Sequence, residues 1–560
     1  MAPADVGAIR QRAQARAAAG DQAGGRAIYA AALRTHPKDV PLLNSAGNFH
    51  ANLGDLAAAL RLFDEAAAMA PDDAEVLLNR AVVLSRTGRA DEGLPDLRRI
   101  EPEMQGMARY WSVRASLERA IGDLDAAAAS YDRCLALDGT HQRAQHGRAR
   151  TALERGEADA HLRFEQALLT QKGDAQLWLG YAQALDDAGE AERALAIAHA
   201  LVRQAPGWTD ALRFLSELMW ARGERDTFCQ PYADAARVRP DDRALTSAWC
   251  EMLAGVDRHA EAADVAGAAA RRLGDDQSLL LAEAAYAGAA GDDERAERIF
   301  ASLEQDDAAR LVQEARHRLR RREAERADHL LERALSDRPD VVAAWALRDL
   351  AWRLLDDPRH AWLHGQEGLV QFRNTGMEPL LINELAKLMH RLHDRGSTPL
   401  GQSIRAGTQT RGGLFDRHEP EIRRALHQIR LVLDDYRAGL PAADARHPLL
   451  QHREAMWGIS GSWSIRARRS GHHTAHIHPQ GLLSSAFYLS LPEDVEEKDA
   501  PGALELGRPP SDLRLDLPPV ATLRPSVGSL ALFPSTLYHG TRPFAKGERM
   551  TIAFDVALRA

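Results

Sequence analysis

Cysteine is nearly absent from the 560 residues: Cys134, Cys229 and Cys250 lie far apart and form no CxxC pair. That scarcity argues against a disulfide framework or a thiolate zinc knuckle and fits a reducing compartment. Long apolar runs are missing too, since no window approaches the ~20 apolar residues of a membrane span. The opening segment MAPADVGAIRQRAQARAAAGD has scattered charges and no apolar centre, so no secretory signal is expected and the cytoplasm is the expected location. Basic runs are also lacking: 71 Lys and Arg against 80 Asp and Glu give a net charge of −9, with the two signs interspersed. Neither a nucleic-acid nor a membrane partner is expected. What remains, 45% hydrophobic and 27% charged, is the composition of a folded chain long enough for several domains.

A glycine series is the strongest feature present. Gly20, Gly54, Gly88, Gly122, Gly156, Gly189 and Gly223 are separated by 34, 34, 34, 34, 33 and 34 residues, and most are followed by Asp or Glu. Pro37 and Pro71, and again Pro206 and Pro240, are also 34 apart. Between these marks the apolar residues recur at helical spacing, as in Leu43, Gly47, Gly54, Ala59, Phe63, Ala66 and Pro71. Small residues at Gly47, Ala59 and Ala66 let two helices approach closely, Leu43 and Phe63 fill the space beside them, Gly54 ends one helix, and Pro71 follows the next. This pattern resembles the tetratricopeptide repeat, a pair of antiparallel helices. Clear repeats are expected over residues 1–240 and degenerate helix pairs over 241–375, stacked as a right-handed solenoid. Its concave face is the expected seat of a protein or peptide partner; a rigid spacer or a homodimer surface is the plainer reading.

The helical texture stops around residues 395–415, in RGSTPLGQSIRAGTQTRGGLF, which places a domain boundary near 370–395. One more amphipathic helix is expected at about 418–438. After residue 455 the period becomes two. SGSWSIRARR, LLSSAFYLSL, GALEL, SLALFP and RMTIAFDVAL read as strands of an antiparallel jelly roll. On the last of these, Arg549 shares a face with Thr551, Ala553 and Asp555, while Met550, Ile552, Phe554 and Val556 take the other. His476 and His478, one residue apart on extended chain, point to the same side and can reach one ion together.

The segments PLGQSIRAGTQT, SWSIRARRSGHHTAHIHPQGLLSSAFYLSLP, GALELG, LFPSTLYHGTRPF and ERMTIAFDV together resemble the 2-oxoglutarate/Fe(II)-dependent dioxygenases, specifically the bacterial group in which such a domain follows tetratricopeptide repeats. The resemblance implies a multidomain fold, α then β, with a tetratricopeptide-type solenoid followed by a double-stranded β-helix over 390–560. It implies iron held by His476 and the distal His539, with 2-oxoglutarate as cosubstrate and dioxygen as oxidant. Arg549 and Thr551 would then grip the far carboxylate of the cosubstrate. His478 stands where the wider superfamily has a carboxylate. It is read as a third ligand; the alternatives are that Glu505 or Asp555 supplies the carboxylate, or that water fills the position. Tyr488 and Ser485 are read as hydrogen-bonding the cosubstrate or as a packed aromatic and a buried hydroxyl. Trp463 is read as core, and Arg405 and Gln409 as candidates for the mouth of the site. The implied activity is hydroxylation of a captured protein or peptide. Two rival readings are an adaptor with an inactive oxygenase-like domain, and a three-histidine dioxygenase of cupin type that needs no 2-oxoglutarate.

Overall fold

The computed structural model describes residues 5–304, 306–394 and 400–559. Residues 395–399 of the expected boundary segment lie outside the described residues. The chain divides into two compact units, the first ending at Ala188 and the second beginning at Gly189.

Helix pairs fill the first unit. Several pairs are set by a glycine and an aspartate in succession, as at Gly20-Asp21, Gly54-Asp55 and Gly122-Asp123. Gly54 and Gly122 both have φ of +80°, the left-handed conformation that a side chain disfavours, and so each turns the chain back after one helix. Asp55 and Asp123 then cap the next helix by accepting hydrogen bonds from the Ala58 and Ala126 amides. Close approach within a pair depends on another glycine: a methyl group at Gly47 would lie 2.6 Å from the Phe63 ring, which is fully buried.

Helix pairs continue in the second unit to Arg359–His364. Nine strands follow among the described residues: β1 (Gln371–Asn374), β2 (Ile404–Gln409), β3 (Trp457–His473), β4 (Leu483–Ser490), β5 (Leu504–Leu506), β6 (Ala521–Leu523), β7 (Ser529–Pro534), β8 (His539–Thr541) and β9 (Arg549–Leu558). They form an antiparallel six-stranded sheet in the order β1-β7-β4-β9-β3-β2 and a three-stranded sheet in the order β6-β5-β8, an arrangement consistent with a jelly roll. The helices Pro379–Asp394 and Pro420–Ala438 cover the outer face of the larger sheet. There Leu385, Met389, Ile422 and Ile429 pack with Phe487, Leu532, Met550, Ile552, Phe554 and Val556.

The division at Ala188 falls inside the expected run of clear repeats, residues 1–240. Residues 189–240 continue the 34-residue period, yet they belong to the second unit. The sheet also reaches back to Gln371, because β1 pairs with β7. The loop after β5 is gripped by the last helices before the sheet. Arg316 donates to Asp512 Oδ1 at 2.6 Å, and Arg320 to Asp512 Oδ2 at 2.7 Å. Arg353 donates to the carbonyls of Gly507 and Pro518, and Leu513 is buried among Leu311, Leu347 and Tyr538. Burial pushes the Asp512 carboxyl upward, but Arg316 and Arg320 together outweigh it and hold the carboxyl below its ordinary value.

Asp512→Ala leaves two guanidinium groups without their counter-charge, one of them on a side chain only 1% exposed. The expected cost is about 3 kcal/mol, seen as a lowered denaturation midpoint of the second unit. A variant as stable as the parent in urea would show that the clasp contributes nothing.

Candidate functional site

A cavity of about 730 Å³ lies between the two sheets. Its floor comes from β9, where Arg549, Thr551, Ala553, Asp555 and Ala557 all line it, while the alternating residues face the apolar core. Strand β3 presents Gly461, Trp463 and Ile465 to the same space, in register with Asp555, Ala553 and Thr551.

His476 and His539 are brought together by their own backbones. His476 N donates to His539 O at 3.0 Å and His539 N to His476 O at 2.9 Å, so the two residues sit directly opposite in an isolated bridge. His478 completes the group, one potential ligand atom from each of the three lying within 4.8 Å of the others.

The proton on each ring is fixed by what its Nδ1 meets. His476 Nδ1 lies 2.8 Å from Thr474 O, His539 Nδ1 lies 3.1 Å from Leu537 O, and His478 Nδ1 lies 2.6 Å from Asp555 Oδ2. Carbonyls and carboxylates only accept, so each Nδ1 carries a hydrogen, and Nε2 is the atom each ring has left for a metal; Ser403 Oγ lies 3.3 Å from His476 Nε2. The Nε2 atoms of His476 and His478 are 3.2 Å apart. Two lone pairs at that separation repel unless a proton or metal cation lies between them. Protonation is opposed by burial first and by neighbouring imidazoles second, which push His476 down to about 4 and His539 well below its ordinary value. Neutral nitrogen donors of this kind suit a divalent transition metal, and the donor set fits iron as well as zinc or cobalt.

Arg549 is the second electrostatic demand on the cavity. It is 2% exposed, it donates to Gly502 O at 3.3 Å, and among the described residues no carboxylate pairs with it. A buried guanidinium with one carbonyl partner is costly unless an anion meets it. Burial lowers its proton affinity, with Tyr488 acting in the opposite sense. Tyr488 lies across from Thr551 on β4, lines the same cavity, and is pushed up to about 12 by burial against a smaller opposing effect of Arg549.

The remaining candidates divide between the cavity and its supports. The Ser485 hydroxyl donates to Phe554 O at 2.7 Å and accepts from Phe554 N at 2.9 Å, so it ties β4 to β9 and has no hydrogen left for a cosubstrate. Glu505 pairs with Arg508 and Arg542, and Asp555 stands behind His478, so neither belongs to the three-residue group. Arg405 reaches Asp257 at 2.8 Å, whereas Gln409 does line the cavity. Trp463 is a wall of the cavity, stacked on the His478 ring with centroids 5.4 Å apart and an interplanar angle of 4°. The alternation of β3 against β9 was the signal for it. His473 also lines the cavity, its ring 5.8 Å from that of His476 and its Nδ1 3.0 Å from Ser403 Oγ.

Residues 461–555 match the family model described as "Putative 2OG-Fe(II) oxygenase", and residues 50–117 and 108–141 match models of the tetratricopeptide repeat. The chain carries tetratricopeptide repeats ahead of a domain that matches this oxygenase family. Among solved structures, a tetratricopeptide repeat protein from Parabacteroides merdae is 18% identical, covering 44% of this chain and 97% of its own, with a TM-score of 0.36. PilW, a widely conserved type IV pilus biogenesis factor, is 21% identical over 37% of this chain and 96% of its own, with a TM-score of 0.34. A thermophilic repeat protein of Thermus thermophilus is 23% identical over 32% of this chain and 98% of its own, with a TM-score of 0.28. No curated protein matches the chain.

The Ser485 geometry gives a test. Ser485→Ala should cost about 1 kcal/mol in chemical denaturation, the worth of a buried hydrogen bond, and leave any affinity for 2-oxoglutarate unchanged. A weaker affinity would return the hydroxyl to the cosubstrate site.

Proposed function

We propose that the protein is an Fe(II)- and 2-oxoglutarate-dependent oxygenase that hydroxylates a protein or peptide held by its repeats. The observation that carries the reading is the uncompensated Arg549 in the same cavity as three converging imidazoles. In this reading His476, His478 and His539 hold the iron through Nε2. When bound, iron with 2-oxoglutarate supplies the activation of dioxygen, coupled to loss of carbon dioxide and formation of succinate.

The chain's own residues perform the rest. Arg549 receives the far carboxylate of 2-oxoglutarate, its planar fork matching two oxygens at once, with Thr551 and the Tyr488 hydroxyl beside it. Thr474 O, Leu537 O and Asp555 keep the three rings in the tautomer that can ligate. Trp463 and Ile465 give the cavity an apolar wall. Tetratricopeptide repeats commonly bind proteins, which supports a macromolecular substrate. Arg549 disfavours a cupin-type enzyme, because chemistry that uses no dicarboxylate leaves that cation unexplained.

Two expected outcomes follow. His476→Ala or His539→Ala should abolish stoichiometric Fe(II) binding, measured anaerobically, while the helical circular dichroism persists; full iron binding by both variants sinks the ligand assignment. Arg549→Ala should raise the apparent 2-oxoglutarate constant roughly ten- to a hundredfold, since a charge-assisted bond in a dry pocket contributes about 1.5–3 kcal/mol. Iron affinity should stay the same, and Arg549→Lys should recover only part of the loss. Oxygen uptake that ignores both 2-oxoglutarate and this substitution would favour the cupin-type reading.

A further inference from the structure

The His-x-His pair lacks the carboxylate that the wider superfamily places two residues after its first histidine, and the structure locates a carboxylate one ring further out. Asp555 Oδ2 is 2.6 Å from His478 Nδ1, on the side of the ring opposite the converging Nε2. Asp555 Oδ1 accepts from Ser484 Oγ at 3.3 Å, and Ser484 is itself 3.0 Å from Ser535 Oγ. Among the described residues, His478 is the only ion-pair partner of Asp555, and no Lys or Arg neutralises it. Glu505, the other carboxylate near the cavity wall, pairs with Arg508 and Arg542. The His478 ring is held on its edge by Asp555 and on its face by Trp463.

We propose that Asp555 is a positioning residue that supplies, through the His478 imidazole, the negative charge absent from the ligand set. The proposal rests on the reading that His476, His478 and His539 bind a metal. A carboxylate on the remote nitrogen of a ligating imidazole fixes its tautomer and makes its Nε2 a stronger donor, which commonly changes metal affinity ten- to a hundredfold. It also places an anion close to a divalent ion that three neutral ligands leave doubly positive, so it should favour the higher oxidation state of iron. Strand β9 thus carries both charges of the cavity: Arg549 facing the proposed dicarboxylate and Asp555 behind the metal ligand.

The test is anaerobic titration of the full-length protein with Co(II), followed by its visible absorption, with neither 2-oxoglutarate nor oxygen present. Asp555→Asn keeps the shape and an acceptor oxygen but removes the charge; it should bind Co(II) roughly ten- to a hundredfold more weakly. Asp555→Glu, which keeps the charge, should bind more tightly than the Asn variant. In the His478→Ala background, Asp555→Asn should cause no further loss, because the connecting ring is gone. The Fe(III)/Fe(II) potential of Asp555→Asn should be more positive than that of the parent, a shift that a purely structural role would not produce. Equal Co(II) affinity of parent and Asp555→Asn, or the same loss with and without His478, overturns the proposal. A parent protein that takes up no Co(II) overturns the metal reading on which it rests. If Asp555→Asn does not fold, the potential and affinity of Asp555→Glu decide: a parent-like charge effect supports the role, and Co(II) affinity lowered to that of His478→Ala refutes it.

Discussion

Strand β9 is the constraint on which the second unit depends, because its period of two puts two incompatible environments back to back. Met550, Ile552, Phe554 and Val556 enter an apolar core shared with the helices 379–394 and 420–438. Arg549, Thr551, Ala553 and Asp555 face the cavity. A slip of one residue would drive a guanidinium and a carboxylate into hydrocarbon and empty four large side chains into the cavity. Core packing on one face therefore fixes the positions of the charged groups on the other. The Ser485 hydroxyl bridging to the Phe554 peptide reinforces the same register between β4 and β9.

Much of this was legible in the amino-acid order, and the limits have physical causes. The glycine period announces the helix pairs because a left-handed turn has few alternatives to glycine. The β9 alternation announces the cavity face because a half-polar strand of ten residues fits few other structures. The short strands β1, β2, β6 and β8 were not foreseen. They contain three to six residues each, and β2 includes Gly407, so their extended form comes from the partner strand rather than from their own composition. The part played by Asp555 was also hidden: it lies 77 residues from His478 in sequence, and only the pairing of strands brings the two together. Ser485 stayed open between two readings for a related reason, since a hydroxyl beside a site is indistinguishable in sequence from one that stitches two strands.

The 34-residue period and the compactness of the chain do not coincide. The repeats continue past Ala188, with Gly189 and Gly223 again 34 residues apart, but the helices beyond it fold in one unit with the β domain. Asp512, Leu513 and the carbonyls of Gly507 and Pro518 account for part of this, because they occupy Arg316, Arg320 and Arg353. The later helix pairs thus spend binding capacity on a segment of their own chain. Their loosened repeat pattern follows naturally, since positions that grip this loop answer to it rather than to the spacing of a generic helix pair.

The cavity is electrostatically unfinished in two places, and with opposite sign. Three imidazoles converge where a cation would join their Nε2 atoms, and one buried guanidinium with a single carbonyl partner stands where an anion would offset its desolvation. A metal alone answers the first demand, and a monocarboxylate alone answers the second. A short dicarboxylate with a metal answers both, because one end can share the cation while the other meets Arg549. Asp555 does not serve for the second demand, being held on the far side of the His478 ring by Ser484 and by the imidazole itself. The proposed assignment of 2-oxoglutarate to this site therefore draws on the balance of charge within the cavity, and it stands on that balance independently of the family likeness.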